Sequence, residues 1–149
     1  MRALGRSRSS ARIASISEPA AYPYVDASAL VKLVVPEAET AALHDELRRW
    51  PRLKSSALVR TEVVRAAAVV SPKAREVALE LVESVDLIAV DQEILDEAAR
   101  LEPPSLRSLD AVHLASALSL GAGLGAVVTY DRRLQEGARR AGLRVLAPR

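Results

Sequence analysis

The chain has 149 residues, half of them hydrophobic and 27% charged, so it is long enough for one globular domain with a single sizeable core. It contains no cysteine, which excludes disulfides, cysteine-ligated metal sites and cysteine nucleophiles and fits a reducing compartment. Its apolar runs are shorter than the roughly 18 residues that a membrane span requires.

The basic character of the chain comes from its amino-terminal end. Residues 1–21 hold four arginines against one acid, whereas the remaining residues are nearly balanced in charge. Overall basicity is therefore weak evidence for a nucleic-acid partner, and such binding would depend on local arginine clusters. These clusters, which are also typical of solvated helix faces, are Arg48/Arg49/Arg52, Arg132/Arg133 and Arg139/Arg140/Arg144.

Residues 1–21 are rich in arginine and serine and lack the apolar stretch of a secretory signal. They superficially resemble an organelle transit peptide, but a disordered arm or an upstream start codon explains them better. The first convincing structural element begins only at Tyr22. We therefore predict a basic, disordered arm over residues 1–21 and one folded domain over residues 22–149.

From Tyr22 onward, short apolar runs alternate with segments of helical period. The predicted strands are residues 22–26, 52–55, 85–90, 126–130 and 143–146. The predicted helices are residues 30–35, 37–50, 57–70, 72–84, 91–101, 106–120 and 132–141, and residues 121–125 are expected to form a flexible connection. Strands separated by helices imply parallel pairing through right-handed crossovers, hence a three-layer α/β/α fold around a parallel sheet.

Four acidic residues are the most informative feature of the sequence. Asp26 and Asp131 each follow a predicted strand, at the sheet edge where α/β proteins place their active sites. Glu62 and Asp110 lie within helical segments rich in alanine and leucine, where carboxylates are not expected. If the four converge, each close pair costs roughly 4 kcal/mol at an effective dielectric of about 20. Such a cluster either shares a proton or binds a divalent cation, and oxygen ligands favour Mg²⁺ or Mn²⁺.

Each acid taken alone has a simpler explanation. Asp26 and Asp131 could be helix caps, and so could Asp91, which also follows a predicted strand. Similarly, Glu62 could pair with an arginine three residues later. Asp110 could pair with an arginine three residues earlier, or it could occupy an early position in its helix, which the helix dipole favours. The four together favour a metal site.

Other candidate motifs are weaker. His44 and His113 have no histidine partner at a metal-binding spacing, and a structural role is the simpler assignment for both. The chain lacks the nucleophile elbow of a Ser–His–Asp hydrolase. The glycines of residues 121–125 follow a helix and precede a strand, which is the wrong order for a phosphate-binding turn.

Four segments together resemble a known family. They are Val25–Lys32, which contains Asp26 and Ser28; Leu58–Val63, which contains Glu62; Leu106–Ala115, which contains Asp110; and Val128–Leu134, which contains Thr129 and Asp131. In this order and spacing they are similar to PIN-domain proteins, specifically the VapC toxins of bacterial toxin–antitoxin pairs. The match runs from about Tyr24 to Pro148, and the arm of residues 1–21 is the one clear departure.

The resemblance implies a PIN-like fold and a metal-dependent endoribonuclease. Asp26, Glu62, Asp110 and Asp131 would then be catalytic and metal-binding residues for Mg²⁺ or Mn²⁺, with Ser28 and Thr129 as accessory hydroxyls. It also implies an RNA substrate, a VapB-type antitoxin as inhibitor and a homodimer, with no membrane partner. Two alternatives remain open: a PIN-like module that binds RNA or antitoxin without cutting, and, with less support, a haloacid-dehalogenase-like phosphatase, which normally has an aspartate where this chain has Ser28.

Overall fold

A parallel sheet lies between two layers of helices in the computed structural model, which describes residues 21–149. The strands are β1 (Tyr22–Val25), β2 (Lys54–Ser56), β3 (Asp86–Ile88), β4 (Leu124–Val128) and β5 (Val145–Leu146). The helices are α1 (Ala27–Val34), α2 (Thr40–Leu47), α3 (Val59–Val70), α4 (Pro72–Ser84), α5 (Gln92–Arg100), α6 (Ser108–Leu118) and α7 (Arg132–Arg140). The predicted three-layer α/β/α class is confirmed. The predicted arm of residues 1–21 lies, apart from Ala21, outside the described residues.

The strand order β3-β2-β1-β4-β5 places β1 and β4 side by side at the centre of the sheet. All four pairings are parallel, and Val25 at the end of β1 is in register with Val128 at the end of β4. The chain runs outward from β1 to β2 and β3, and then crosses back to β4. This is a topological switch point, and open α/β sheets bind ligands outside the carboxyl ends of the strands at such a point.

Alternating residues of β1 face the two helix layers, as the period of a strand requires. Val25 is fully buried against the layer formed by α1 to α4, whereas Tyr24 is fully buried against α6 and α7 on the opposite face. Helix α6 is buried all round, since Ala111 to Ala117 are all buried. An apolar helix enclosed in this way is typical of the interior of an α/β domain.

Local capping explains where several helices begin. The side chains of Asp26, Ser71, Asp91 and Asp131 each accept a backbone N–H bond in the first turn of the helix that follows. Ser71 is followed by Pro72 at the first helical position, so the sequence prediction for the start of α4 is confirmed. Helix α2 is shorter than predicted and covers Thr40–Leu47 rather than residues 37–50.

The flexible connection predicted for residues 121–125 is wrong at its end. Gly121–Gly123 forms one 3₁₀ turn, and β4 begins at Leu124 because that residue pairs with Tyr22 of β1. Gly125 therefore lies within the strand, where a Cβ atom would collide with the ring of Trp50. The strand also ends at Val128 rather than at residue 130, so Asp131 follows it after a two-residue connection.

None of the helices in residues 21–149 combines the length and the hydropathy that crossing a bilayer requires.

Replacing Leu30 with alanine tests the core against α1. Leu30 is fully buried, so the change should lower the free energy of unfolding by about 2–5 kcal/mol in a urea titration. Leu95→Ala on α5 is the matched control, because that side chain is 49% exposed and its loss should cost much less. Equal losses at both positions would contradict the packing described for α1.

Candidate active site

A cleft of about 370 Å³ opens at the carboxyl ends of β1 and β4. Carboxylates from four different elements line it: Asp26 follows β1, Glu62 lies on α3, Asp110 lies on α6 and Asp131 precedes α7. The structure thus brings the four acids together from positions spread over more than a hundred residues. Ser28 also lines the cleft, and Thr129 lies behind it, fully buried.

Asp26 is the most enclosed of the four carboxylates, with 4% of its surface exposed. Oδ1 accepts from Ser28 Oγ at 2.7 Å and from the Ala29 N–H at 3.2 Å, and Oδ2 accepts from Thr129 Oγ1 at 2.7 Å. Burial raises the pKa of Asp26, and the hydrogen bonds from Ser28 and Thr129 offset part of that effect. Hydrogen bonds to both carboxylate oxygens therefore hold the Asp26 side chain in one orientation.

The two accessory hydroxyls connect Asp26 to the chain that leaves β4. Thr129 Oγ1 accepts from the Asp131 N–H at 3.0 Å while it donates to Asp26. Ser28 Oγ accepts from the Tyr130 N–H at 2.9 Å while it donates to Asp26. Each hydroxyl therefore acts as donor and acceptor at once, and together they hold the β1 and β4 ends of the cleft at a defined separation.

Asp131 caps α7 through one oxygen only. Its Oδ1 accepts from the backbone N–H groups of Arg133 at 2.8 Å and Leu134 at 3.2 Å. Oδ2 has no hydrogen bond within residues 21–149. Asp131 therefore caps α7, as its position after a strand also suggests, and it keeps one carboxylate oxygen without a partner among these residues while it lines the cleft.

Asp110 has neither a hydrogen bond nor an ion pair from its side chain to any described residue. The expected simple partner, Arg107, is exposed and does not form a salt bridge with it. Burial raises the pKa of Asp110 and the negative charge of Asp131 raises it further, while His113, Arg107 and Arg133 act in the opposite direction. Asp110 is thus a carboxylate whose charge is uncompensated by any direct contact.

Glu62 is paired with a histidine rather than with the arginine considered from the sequence. Its Oε1 lies 2.7 Å from His113 Nε2, and the other imidazole nitrogen, Nδ1, lies 2.7 Å from the Tyr24 hydroxyl. A carboxylate can only accept, so Nε2 carries the proton. When the imidazole is neutral, Nδ1 therefore accepts from the tyrosine hydroxyl. Glu62 Oε2 makes no hydrogen bond within the described residues.

His113 is the cleft residue that the sequence analysis assigned to a structural role only. It is 3% exposed and lines the cleft from α6. Burial tends to lower its pKa, but the hydrogen bond and charge of Glu62, with smaller contributions from Asp26 and Asp110, raise it overall. One signal was available: His113 follows Asp110 by three residues, which places both on one helix face.

No group of three or more histidine, aspartate or glutamate side chains within residues 21–149 is gathered closely enough to form a ready-made metal cluster. The contacts explain this spacing, because Asp26 is held by hydroxyls, Glu62 by His113 and Asp131 by the amides of α7. The oxygens left without partners are Glu62 Oε2, Asp131 Oδ2 and both oxygens of Asp110. These unpaired, hard oxygen atoms around one cleft have the donor chemistry that Mg²⁺ and Mn²⁺ accept.

Comparison with known proteins gives consistent matches over the described domain. The PIN domain family model matches residues 24–140. Ribonuclease VapC46 of Mycobacterium tuberculosis is 47% identical over 126 residues, covering 84% of this chain and 96% of the relative, and Ribonuclease VapC35 of the same species is 43% identical over 129 residues with the same coverage. A solved chain described as "Toxin-antitoxin complex from Klebsiella pneumoniae" superposes with a TM-score of 0.66 at 20% identity, covering 85% of this chain and 98% of that one, which is a likeness of fold.

Asp110→Asn should raise the melting temperature at neutral pH. The folded state holds the Asp110 proton more tightly than the unfolded state does, so ionisation of this group costs stability as the pH rises above about 4. The gain in melting temperature over wild type should therefore grow between pH 4 and pH 7, measured with a chelator present. Asp96→Asn, at an exposed position on α5, is the control and should show no such growth. A gain that shrinks toward pH 7 would contradict the assignment.

Tyr24→Phe and His113→Leu should be strongly non-additive. Each change removes one partner of a buried hydrogen bond and should cost about 1–3 kcal/mol of unfolding free energy. Once one partner is gone, removal of the other costs less, so the double-mutant cycle should give a coupling of about 0.5–3 kcal/mol. Denaturant titrations of the four proteins measure this coupling, and simple additivity would exclude the Tyr24–His113 bond.

Proposed function

Because this chain belongs to the PIN-domain family and within it to the VapC-type ribonucleases, we propose that it is a metal-dependent endoribonuclease toxin that cleaves cellular RNA in the cytoplasm. The single observation that carries the assignment of the site is the convergence of Asp26, Glu62, Asp110 and Asp131 on one cleft at the switch point of the sheet. We assign these four carboxylates as the catalytic, metal-binding residues.

The unpaired oxygens of Asp110, Glu62 and Asp131, together with Asp26, would hold a divalent cation, Mg²⁺ or Mn²⁺. A cation bound there supplies Lewis-acid chemistry: it lowers the pKa of a bound water and neutralises charge on a scissile phosphate. Asp110 is half-buried and has no side-chain partner among residues 21–149, which supports this assignment, since a carboxylate partly removed from water is stabilised by pairing or by a metal. An aspartate two positions after Asp26, which a haloacid-dehalogenase-like phosphatase normally has, is replaced here by Ser28.

The chain's own groups divide the work of positioning. Ser28 and Thr129 fix the Asp26 carboxylate from both sides, so that it does not reorganise when the phosphate arrives. His113 forms a hydrogen bond with Oε1 of Glu62 and leaves Oε2 without a partner among the described residues. Hydrogen-bond partners of this kind orient metal-binding carboxylates and tune their basicity. Arg107 lines the same cleft and can pair with a phosphate oxygen of the substrate.

We further propose that a VapB-type antitoxin inhibits the chain and that the chain forms a homodimer. The family membership supports both proposals. The helical hairpin of α3 and α4 offers a surface for a protein partner, because Val69, Val70 and Leu79 are 88%, 57% and 40% exposed.

Cleavage of total cellular RNA by the purified protein tests the proposed function. Wild type should yield discrete fragments with Mg²⁺ or Mn²⁺ and none with a chelator. Asp110→Asn should slow cleavage at least about 100-fold, because a metal ion contributes several kcal/mol to the transition state. Asp91→Asn is the control, since it makes the same change of charge and shape at an aspartate that lies outside the cleft.

Two results would argue against this function. If Asp110→Asn cut as fast as wild type, the activity would belong to a contaminant or to another site. If wild type bound RNA but cut none of it with either metal, a binding module that does not cleave would explain the chain better.

A further inference from the structure

A second cavity of about 290 Å³ adjoins the carboxylate cleft, between α7 and the loop that precedes α6. We call it the α7 groove, and it is lined by Pro103, Ser105, Leu106, Arg133, Glu136, Gly137 and Arg140. Its beginning is close to the cleft, because Leu106 lines the groove while its neighbour Arg107 lines the cleft. Arg133 is also close enough to Asp110 for its charge to lower the pKa of that residue.

Three residues of α7 follow the groove along one helix face. Arg133, Gly137 and Arg140 are spaced i, i+4 and i+7, so the two arginines project from the same side about 10 Å apart. Gly137 lies between them without a side chain, and a Cβ added there would already be 3.4 Å from Leu106. The missing side chain therefore lets α7 pack closely against Leu106 and Leu114 at this point of the groove.

The charge of the groove is positive and mostly uncompensated. Arg133 is exposed and forms no ion pair with any described residue. Arg140 pairs with Glu136 at 2.9 Å, but both side chains are exposed, and such pairs contribute little and exchange readily for another anion. Among residues 21–149, Glu136 is the one acid that lines the groove.

The charge of another cavity, on α5, is opposite to that of the α7 groove and makes that cavity unsuitable for an anion. A larger cavity of about 480 Å³ lies on α5 and the outer side of α6, lined by Glu93, Asp96 and Glu97 against the single cation Arg100. Three acids would repel a phosphate chain, whereas the α7 groove would attract one. Of these two cavities in residues 21–149, the α7 groove is the basic one and lies next to the catalytic cleft.

We propose that the α7 groove binds the backbone phosphates of the RNA strand on one side of the scissile bond, with Arg133 nearest the cleft and Arg140 farther along. The inference rests on the proposed function, since it takes the strand in the cleft to be RNA. Arginine suits this task because its planar guanidinium pairs with phosphate through two hydrogen bonds. No aromatic side chain of the described residues lines the groove, so the groove binds phosphates rather than stacked bases.

Salt dependence of RNA binding tests the groove directly. In the full chain carrying Asp110→Asn, which prevents turnover, a fluorescent single-stranded RNA is titrated over a range of salt concentrations. Arg133→Gln and Arg140→Gln should each weaken binding and reduce the slope of log K against log salt by about 0.7, the value for one phosphate contact on a single strand. Arg139→Gln is the matched control, on the same helix and with the same loss of charge, but outside the groove.

A cleavage assay separates this inference from the proposed function. In the wild-type background, Arg140→Gln should slow cleavage of a long RNA, and the deficit should disappear with substrates truncated on the groove side of the cut. If the wild-type protein cuts no RNA, the proposed function fails. If wild type cuts but Arg140→Gln matches Arg139→Gln in slope and in cleavage, the groove inference alone fails.

A polyglutamate peptide identifies a different occupant. Titrated against the same variants, it should bind weakly and show no preference between Arg139→Gln and Arg140→Gln. If the groove variants lose affinity for this peptide while their RNA slope stays that of wild type, the groove serves an acidic protein segment and the RNA assignment is overturned. Circular dichroism of each variant checks that the fold is intact, as the exposure of all three arginines leads us to expect.

Discussion

The parallel pairing of β1 with β4 is the constraint on which the candidate site depends. It joins segments about a hundred residues apart and places Thr129 within 2.7 Å of Asp26. The pairing also fixes the direction of α1 and α7, since both helices begin from this edge of the sheet under carboxylate caps. If the register moved by one residue, Asp26 would lose its hydrogen bond from Thr129 and Asp131 would leave the cleft.

The same arrangement makes ionisation of two carboxylates at the site unfavourable. Burial raises the pKa of Asp26, and burial together with the charge of Asp131 raises the pKa of Asp110. The ionised form of each group is therefore less stable in the folded protein than in water. Apolar packing on both faces of the sheet offsets this loss of stability, with α1 to α4 on one face and α5 to α7 on the other. Because Asp110 has no direct partner among the described residues, its negative charge can attract a cation or the arginines beside the cleft.

A buried polar chain connects the core with the cleft. Tyr24 projects from β1 into the layer of α6 and reaches His113, which in turn holds Glu62 on the far side of the cleft. Three elements thus set the orientation of one carboxylate. The tyrosine hydroxyl is buried, and its pKa is raised by that burial and by Asp26, so it acts as a hydrogen-bonding group and not as an ion.

Local periodicity, capping residues and motif order were enough to predict the alternation of strands and helices, the fold class and the family. They also selected four acids that the fold brings to one cleft. The sequence could not predict that β4 begins and ends two residues earlier, since a glycine-containing segment becomes a strand only when a neighbour supplies hydrogen bonds. The partner of Glu62 also depends on tertiary structure: Arg65 is near in sequence, but His113 on α6 reaches Glu62 on α3 at the carboxyl edge of the sheet. The distinction between Arg139 and Arg140 has the same origin, because the pattern of α7 makes both residues polar and exposed, and only the position of the loop before α6 places one of them in a groove.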